Sequence, residues 1–499
     1  MRAVTAAQMR AIDAAAVARD GEIVLMRRAG AAIARVIPRY REDGPVIALA
    51  GNGNNGGDAF AALARFDGRR IIYHDPDAPA GAARTHVFQR ARASGVELRS
   101  YPVRGDDLRA AGLLLDGLLG VNARLPLDAA TADRVGAMNA AGVPVLAIDV
   151  ATGCDPTTGA LADVHVRAVA TVALGRPKLG SFLDPGRDAT GDLWCAPIGM
   201  HDEDAHGIDL DAYVLTTDAF DALRPRRAND AEKRSSGAPL IVAGSEQFPG
   251  AAILCALGAA RAGAGYVTVA APAAAAATLR AHLIEQVVVT YDDADPDAAI
   301  ASILDLCNHC NALAIGPGLG LSAALGAIVR GVMAQTQLPI VADASALFHL
   351  AKHLPEFADK ALILTPHAGE FARLSGKGTV EPSQRLARLR AFDAEYGITT
   401  LLKGRTTLIA DRSAVHLNPT GTQALATAGT GDVLTGIIAT LLAQGLAPLD
   451  AGRAAAFWHG VAGRCAAELR PVGVIAGDVA DALGRAADVA PDDDPIRIW

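Results

Sequence analysis

Leu425 to Gly436 reads Leu-Ala-Thr-Ala-Gly-Thr-Gly-Asp-Val-Leu-Thr-Gly, and of all stretches in the chain it is the one best suited to phosphoryl chemistry. Small residues and two glycines precede Asp432, and an apolar series at helical spacing follows it (Val433, Leu434, Ile437, Ile438, Leu441, Leu442). The pattern predicts a tight loop feeding a helix N-terminus. Bare N–H groups from Ala428 to Gly431 would then form an anion cradle, which the helix dipole strengthens. Asp432 at its mouth would take a hydroxyl proton while the cradle holds the transferring charge. The same residues also suit a plainer description, a helix start with an acid in its first turn.

A second group of chemical residues lies early in the chain. Gly51-Asn-Gly-Asn-Asn-Gly-Gly-Asp58 follows an apolar strand at 45–50 and precedes a helix expected at 59–66. Gly51, Gly53 and Gly56 satisfy G-x-G-x-x-G, with Asp75 about twenty residues on, as a dinucleotide fingerprint asks. The turn is unusually polar for that motif, because Asn54, Asn55 and Asp58 can all offer oxygens to a ligand or cation. Two further strands end in acids, Asp116 and Asp149, before Gly- or Thr-rich loops (117–122 and 151–153). Ligands of an open parallel sheet sit at such strand ends. Oxygen donors alone (Asn55, Asp58, Asp116, Asp149, Thr152) favour a hard cation over zinc, although each acid singly could only cap a helix.

The elements that hold these residues follow a β/α alternation in two series. Helix is expected over 5–36, then strand and helix alternate through Val143–Val150. Residues 216–239 are charged and poor in apolar residues, and read as an interdomain connection. A fresh series starts at Leu240 and runs to a strand pair at 406–410 and 414–418, turning at 411–413, before a long helix pair. The division is thus residues 1–215, a linker at 216–239, and 240–490. The fold class is α/β, with two three-layer α/β/α domains.

Composition excludes several classes. A net charge of −8 on 499 residues leaves no global basic surface for nucleic acid. No apolar run reaches the ~18 residues of a membrane span. The N-terminus lacks an apolar signal core. Six scattered cysteines make no disulfide framework, and Cys307-Asn-His-Cys310 has no second pair to complete a zinc site. A cytoplasmic protein is expected, with no nucleic-acid or membrane partner.

Leu25–Gly30, Gly51–Asp58, Leu115–Gly120, Ala147–Gly153 and Gly175-Arg-Pro-Lys178, in that order, resemble the NAD(P)H-hydrate epimerases, whose fold is Rossmann-like. The resemblance implies that Asn54, Asn55, Gly56, Gly57 and Asp58 contact the hydrated nucleotide. It implies the same for Gly120, Val121, Asn122, Ala123, Arg124, Leu125 and Pro126, and for Asp149 as acid/base. Potassium would fall to Asn55, Asp116 and Thr152. The family usually has Pro-Ser-Gly where Ala151-Thr152-Gly153 stands here, and Thr152 keeps the hydroxyl oxygen.

Over about 235–470 the chain resembles the ribokinase-like ADP/ATP-dependent NAD(P)H-hydrate dehydratases, through Pro249–Ala252, Ile315–Gly320, Val341-Ala-Asp343, Leu364–Glu370, Leu402-Lys-Gly404 and Thr427–Gly436. This implies substrate contacts at Ala252, Gly318, His367 and Asp432, with Asp432 as catalytic base. It also implies an adenine nucleotide held by Lys403, Gly404, Arg405, Thr406, Thr407 and Gly431, with Mg2+ and ADP as partners. Asp343 is the acid expected to matter near Ser345, where the family usually has Asp. Together the resemblances imply a nucleotide-repair enzyme that epimerises R and S NADHX or NADPHX. It would dehydrate the S form with ADP, releasing AMP and phosphate, and would form a homo-oligomer, a tetramer among the forms allowed. Two other readings stay open: a ribokinase-like small-molecule kinase behind a non-catalytic binding domain, and an NAD-linked oxidoreductase, for which no hydride-transfer acid/base pair is evident.

Overall fold

The computed structural model describes residues 1–78, 80–227, 229–412, 414–488 and 496–499. They divide into two compact units, one of Met1–Ala212 with the chain's last residues, the other starting at Tyr213. Among the described residues no helix is long and apolar enough to cross a membrane.

In the first unit most strands are short apolar runs buried on both faces, as a parallel sheet requires, while the edge strand at Glu97–Ser100 stays part-exposed. These are β1 (Val46–Ala50), β2 (Arg70–His74), β3 (Glu97–Ser100), β4 (Leu113–Gly117), β5 (Val145–Ile148), β6 (Ala170–Leu174) and β7 (Asp192–Ala196). Their order is β7-β6-β5-β4-β1-β2-β3, all parallel, and Ile496–Arg497 closes the β7 edge antiparallel. Strand order reverses between β1 and β4, so the crevice beyond their carboxyl ends is the natural ligand position.

The helix expected over 5–36 is two helices, α1 (Ala6–Asp20) and α2 (Glu22–Tyr40), parted at Gly21, whose φ is +82°. A side chain at that φ would be strained, so the break falls on glycine. The helix expected at 59–66 instead begins at Asn54: α3 spans Asn54–Leu63, and the polar Asn-Asn-Gly-Gly-Asp run is its first turns, not a loop.

The second unit is a ten-stranded mixed sheet. Its strands are β8 (Ala212–Val214), β9 (Pro239–Val242), β10 (Thr268–Pro272), β11 (Val287–Tyr291), β12 (Ala312–Ile315), β13 (Ile340–Ala342), β14 (Leu362–Leu364), β15 (Thr399–Leu402), β16 (Thr407–Asp411) and β17 (Ala414–Asn418). The order is β11-β10-β9-β12-β13-β14-β15-β16-β17-β8; β11 to β15 pair parallel, and β15–β16 and β16–β17 pair antiparallel. Ser413, in the expected turn at 411–413, lies outside the described residues. Within 216–239, a short helix Thr217–Asp221 places Phe220 against Phe457 and Trp458.

The glycine-led stretch forms the start of a helix at the centre of this unit. Helix α4 (Pro249–Arg261) and helix α5 (Thr430–Ala443) cross with their backbones nearly touching. A Cβ on Gly258 would lie 2.5 Å from Val433 O, and one on Gly436 2.0 Å from Cys255 O. Only glycine permits that approach. Ile437, Ile438 and Leu441 are fully buried, each contributing about 1.5–3 kcal/mol. Asp432 therefore projects from a helix that cannot shift without opening the core.

Candidate active sites

A cavity of about 680 Å3 opens beyond β1, β4 and β5. Of the residues expected at the first site, Asn54, Asn55, Asp58, Gly120, Val121, Asn122, Ala123 and Asp149 line it. Other members of the expected set do not. Gly56 backs onto Gly51, Gly57 faces Met26, and Arg124, Leu125 and Pro126 lie farther along their loop, outside the cavity wall.

Asp149 stands at the end of β5 with φ +67°, a conformation that a non-glycine residue adopts only when its surroundings hold it there. Its N–H donates to Val172 O (2.8 Å), and its Oδ1 accepts from Leu174 N (3.1 Å) and from Lys178 Nζ. Lys178 is fully buried and also donates to Leu174 O (2.8 Å). The N-terminal segment fixes the lysine's backbone, since Leu179 N donates to Val4 O (2.9 Å) and Val4 N to Pro177 O (3.0 Å). In the sequence Lys178 stands out only as a motif position. Its signal was scarcity, one of six lysines, placed just after an apolar strand.

Asp116, Thr152 and Asn55 meet beside Asp149. Thr152 donates to Asp116 through both N–H (2.8 Å) and Oγ1 (2.7 Å), and Leu118 N adds a third bond (3.2 Å). Burial nevertheless pushes the Asp116 carboxyl up to about 6, against those bonds. Asn55 Nδ2 donates to Leu119 O (2.8 Å) and Ile148 O (3.0 Å), leaving its oxygen toward Gly120. A Cβ on Gly120 would sit 3.2 Å from Asn55 Oδ1 and 3.5 Å from Asp149 Oδ2.

The G-x-G-x-x-G match has a packing explanation. A Cβ on Gly51 would lie 1.9 Å from Leu118 O, and one on Gly56 2.1 Å from Gly51 O; one on Gly53 would meet nothing within 4 Å. Gly51→Ala should therefore cost about 1–3 kcal/mol or more by overpacking, while Gly53→Ala should stay within about 1 kcal/mol. Urea unfolding of the two variants checks this, and equal losses would contradict it.

In the second unit, Asp432 lies in the first turn of α5, beside a turn that remains open to solvent. The expected cradle is not wholly free, because Thr430 N reaches Thr427 O at 3.4 Å. Asp343, at the end of β13, accepts from Lys403 Nζ (2.7 Å) and from Thr435 Oγ1 (2.7 Å), and so ties β15 to α5. Burial, then the Asp343 charge, push the Asp432 carboxyl up to about 7, Lys403 pulling the other way. A helix N-terminus by itself would lower that carboxyl, so desolvation and a like charge outweigh the dipole here. Burial disfavours the Lys403 ammonium, yet Asp343, Glu370 and Asp432 more than offset it and hold its pKa above the ordinary lysine value.

The remaining expected contacts separate. His367 caps the helix Ala368–Ser375, its Nδ1 accepting from Gly369 N (3.0 Å), while Glu370 returns a bond to the His367 N–H (2.8 Å). Ala252 is fully buried, so no side-chain contact with a ligand is open to it. Gly318, at φ +66°, abuts Phe248 and Ala251 at the start of α4. Ser345 Oγ accepts from Gly320 N (3.1 Å), taking on a loop-tethering task. Around Lys403–Thr407 the organiser is Arg385, unremarked in the sequence, whose Nη2 donates to the carbonyls of Leu402, Lys403 and Thr406 (3.1 Å each). A Cβ on Gly404 would lie 2.3 Å from that guanidinium. Arg405, Thr406 and Thr407 are carried on the same loop, with Thr406 buried and Thr407 Oγ1 donating to Gly404 O (3.3 Å). Gly431 faces the Lys403 ammonium.

A parallel sheet with a buried acid–lysine pair close to its switch point, and a mixed sheet with an acid at a glycine turn, define a two-domain α/β enzyme. The family described as NAD(P)H-hydrate dehydratase matches residues 239–485, and that of the YjeF-related protein N-terminus matches 22–180. The bifunctional NAD(P)H-hydrate repair enzyme Nnr of Salinibacter ruber is 34% identical over 97% of this chain and 96% of its own. Its namesake from Mycobacterium tuberculosis is 36% identical over 90% of each chain. A solved ADP/ATP-dependent NAD(P)H-hydrate dehydratase from Bacillus subtilis, co-crystallised with ATP and Mg2+, covers 55% of this chain and 97% of its own, at 31% identity and TM-score 0.47. The chain belongs to the family of bifunctional NAD(P)H-hydrate repair enzymes.

Proposed function

We propose that the chain restores hydrated nicotinamide nucleotides in two steps, epimerising the hydrate in the first unit and dehydrating the S form in the second at the expense of ADP. The observation that carries this is the Asp432 carboxyl, raised to about 7 by burial and Asp343, beside the open N-terminus of a buried helix. Hydroxide leaves the hydrated ring poorly and phosphate leaves well. Asp432 takes the proton of the ring hydroxyl, that oxygen attacks the terminal phosphorus of ADP, and AMP departs. The ring nitrogen's electrons then expel phosphate, and loss of the neighbouring ring proton restores the dihydronicotinamide. The exposed amides of the glycine turn and the Lys403 ammonium hold the migrating negative charge. Lys403, Gly404, Arg405, Thr406, Thr407 and Gly431 are the proposed nucleotide contacts. Gly318, His367 and Asp432 face the hydrate, and Ala252 serves only as buried support.

Magnesium would be held by one or two carboxylates plus the phosphates of ADP; among the described residues no three acids or histidines gather into a metal site, and Glu370, whose charge acts on both Asp432 and Lys403, is the carboxylate that would contribute. When bound it neutralises phosphate charge. Potassium fits the first site on a different ground: among the described residues the buried Asp116 carboxylate has no ion-pair partner, Thr152 Oγ1 bonds to it, and Asn55 turns its oxygen toward Gly120. There the cation would supply compensating charge and order the Gly120 loop.

The proton acceptor must be ionised, so dehydration should rise with pH through about 7 and level off above it. The pH profile of kcat/KM for the S hydrate with ADP measures this. A flat profile through neutrality would remove Asp432 from the role, and a phosphorylated alcohol accumulating as end product would turn the reading to a plain kinase.

A further inference from the structure

Epimerisation of a carbinolamine carbon needs proton transfer on both faces of the ring. The hydroxyl leaves as water from one face and water returns on the other. Asp149 supplies one such group from the sheet. We infer that Asp13, on α1, is the second proton-transfer residue of this cavity, working from its helical wall. The inference rests on the epimerase reading above.

The geometry comes from the helix. Met9, Asp13 and Val17 all line the cavity at i, i+4 and i+8, one stripe of α1 with a single acid between two apolar residues. The helix is set independently of the sheet. Its Met9 and Ile12 pack with Val4 and Leu210 in a small core of their own, with Val121 of the cavity loop beside them. It is also set in register with Asp149's partner, because Val4, just ahead of α1, bridges to Lys178 in parallel. The Thr5–Gln8 capping box fixes where the helix starts.

The charges around Asp13 are those of Asp149, Lys178, Glu22 and, on α3, Asp58. Burial, then Asp149, push the Asp13 carboxyl above its ordinary value, and Lys178 pulls it back in part. Asp58 is raised well above its ordinary value for the same reasons, but it is the more deeply buried acid, enclosed in the first turns of α3. Asp13 is only half-buried and lines the cavity. In the forward direction its O–H proton passes to the departing hydroxyl as the C–O bond breaks, and the ring nitrogen's electrons form the C=N bond. Water then adds from the opposite face, forming the new C–O bond and giving its proton to the Asp149 carboxylate. The reverse direction exchanges the two roles, and water in the cavity returns the proton. Water is the only co-reactant.

The test is exchange between purified R and S hydrates, without nucleotide, on the full chain. Asp13→Asn should lower kcat in both directions by about 10²-fold or more, with KM changed little. The wild-type profile should carry a limb that falls as pH rises past the raised Asp13 titration, since the step needs that carboxyl's proton; Asp13→Asn should lose this limb, and Asp13→Glu should restore it. Circular dichroism checks the fold, and if Asp13→Asn proves unfolded, a limb displaced in Asp13→Glu carries the test. Unchanged kcat, or a loss confined to KM with that limb kept, would overturn the inference. A wild-type chain that fails to accelerate exchange would instead overturn the epimerase reading itself.

Discussion

Asp432→Asn should lower ADP-driven dehydration by on the order of 10²–10⁴-fold while leaving the fold intact. The amide keeps the shape of the carboxyl but cannot accept the hydroxyl proton. No hydrogen bond from this carboxyl to another described residue is lost, and the Asp343–Lys403–Thr435 ties that hold the site do not pass through it. Stability should move the opposite way from activity. A carboxyl whose folded pKa lies near 7 destabilises the folded state increasingly as pH rises from its unfolded value toward 7. Above neutrality the Asn variant should therefore melt at the same temperature as the parent or higher. Single-turnover dehydration and thermal melts read the two effects separately. An inactive variant that also melts early would point to a structural role, and a variant near normal turnover would remove the base.

The second large effect is expected at Lys178→Met. It leaves the largely buried Asp149 carboxylate without its cation, and breaking a buried pair from one side costs about 3–5 kcal/mol. Exchange between hydrate epimers should fall with it, because Asp149 loses the group that orients and charges it. The double variant Asp149→Asn with Lys178→Met removes both charges, so it should recover much of the stability and none of the exchange. Denaturant unfolding of the first unit, read beside epimer exchange, separates the two. Equal stability of single and double variants would show that the pair is not the organising contact.

Much of this was legible in the chain because glycine spacing and strand-end acids are local signals. The turn before Asp432, the acids at 116 and 149, and both β/α series follow from periodicity and composition alone. What escaped was set by tertiary approach. Glu97–Ser100 is too polar to announce itself as a strand, and Ala170–Leu174 and Asp192–Ala196, no shorter than the strands that were legible, are placed by pairing in the sheet. Lys178 and Arg385 matter through partners 29 and 17 residues away, which no spacing rule reports. The glycines at 51, 56 and 404 looked like ligand-approach positions, and they are glycines because carbonyl oxygens or a guanidinium occupy the space a Cβ would need. The direction of the Asp432 shift was also hidden. A helix start argued for a lower pKa, and only the packing around it shows burial and Asp343 prevailing.

The most direct measurement follows one oxygen atom. An S hydrate carrying a heavy-oxygen label in its ring hydroxyl is incubated with ADP and the Asp149→Asn chain, whose first unit no longer exchanges that hydroxyl with water, and the released phosphate is weighed by mass spectrometry. Transfer of the phosphoryl group to that hydroxyl before elimination should place the label in the inorganic phosphate, one atom per dihydronicotinamide formed. Label appearing in water, with unlabelled phosphate, would contradict phosphorylation at the Asp432 site as the step that makes the hydroxyl leave.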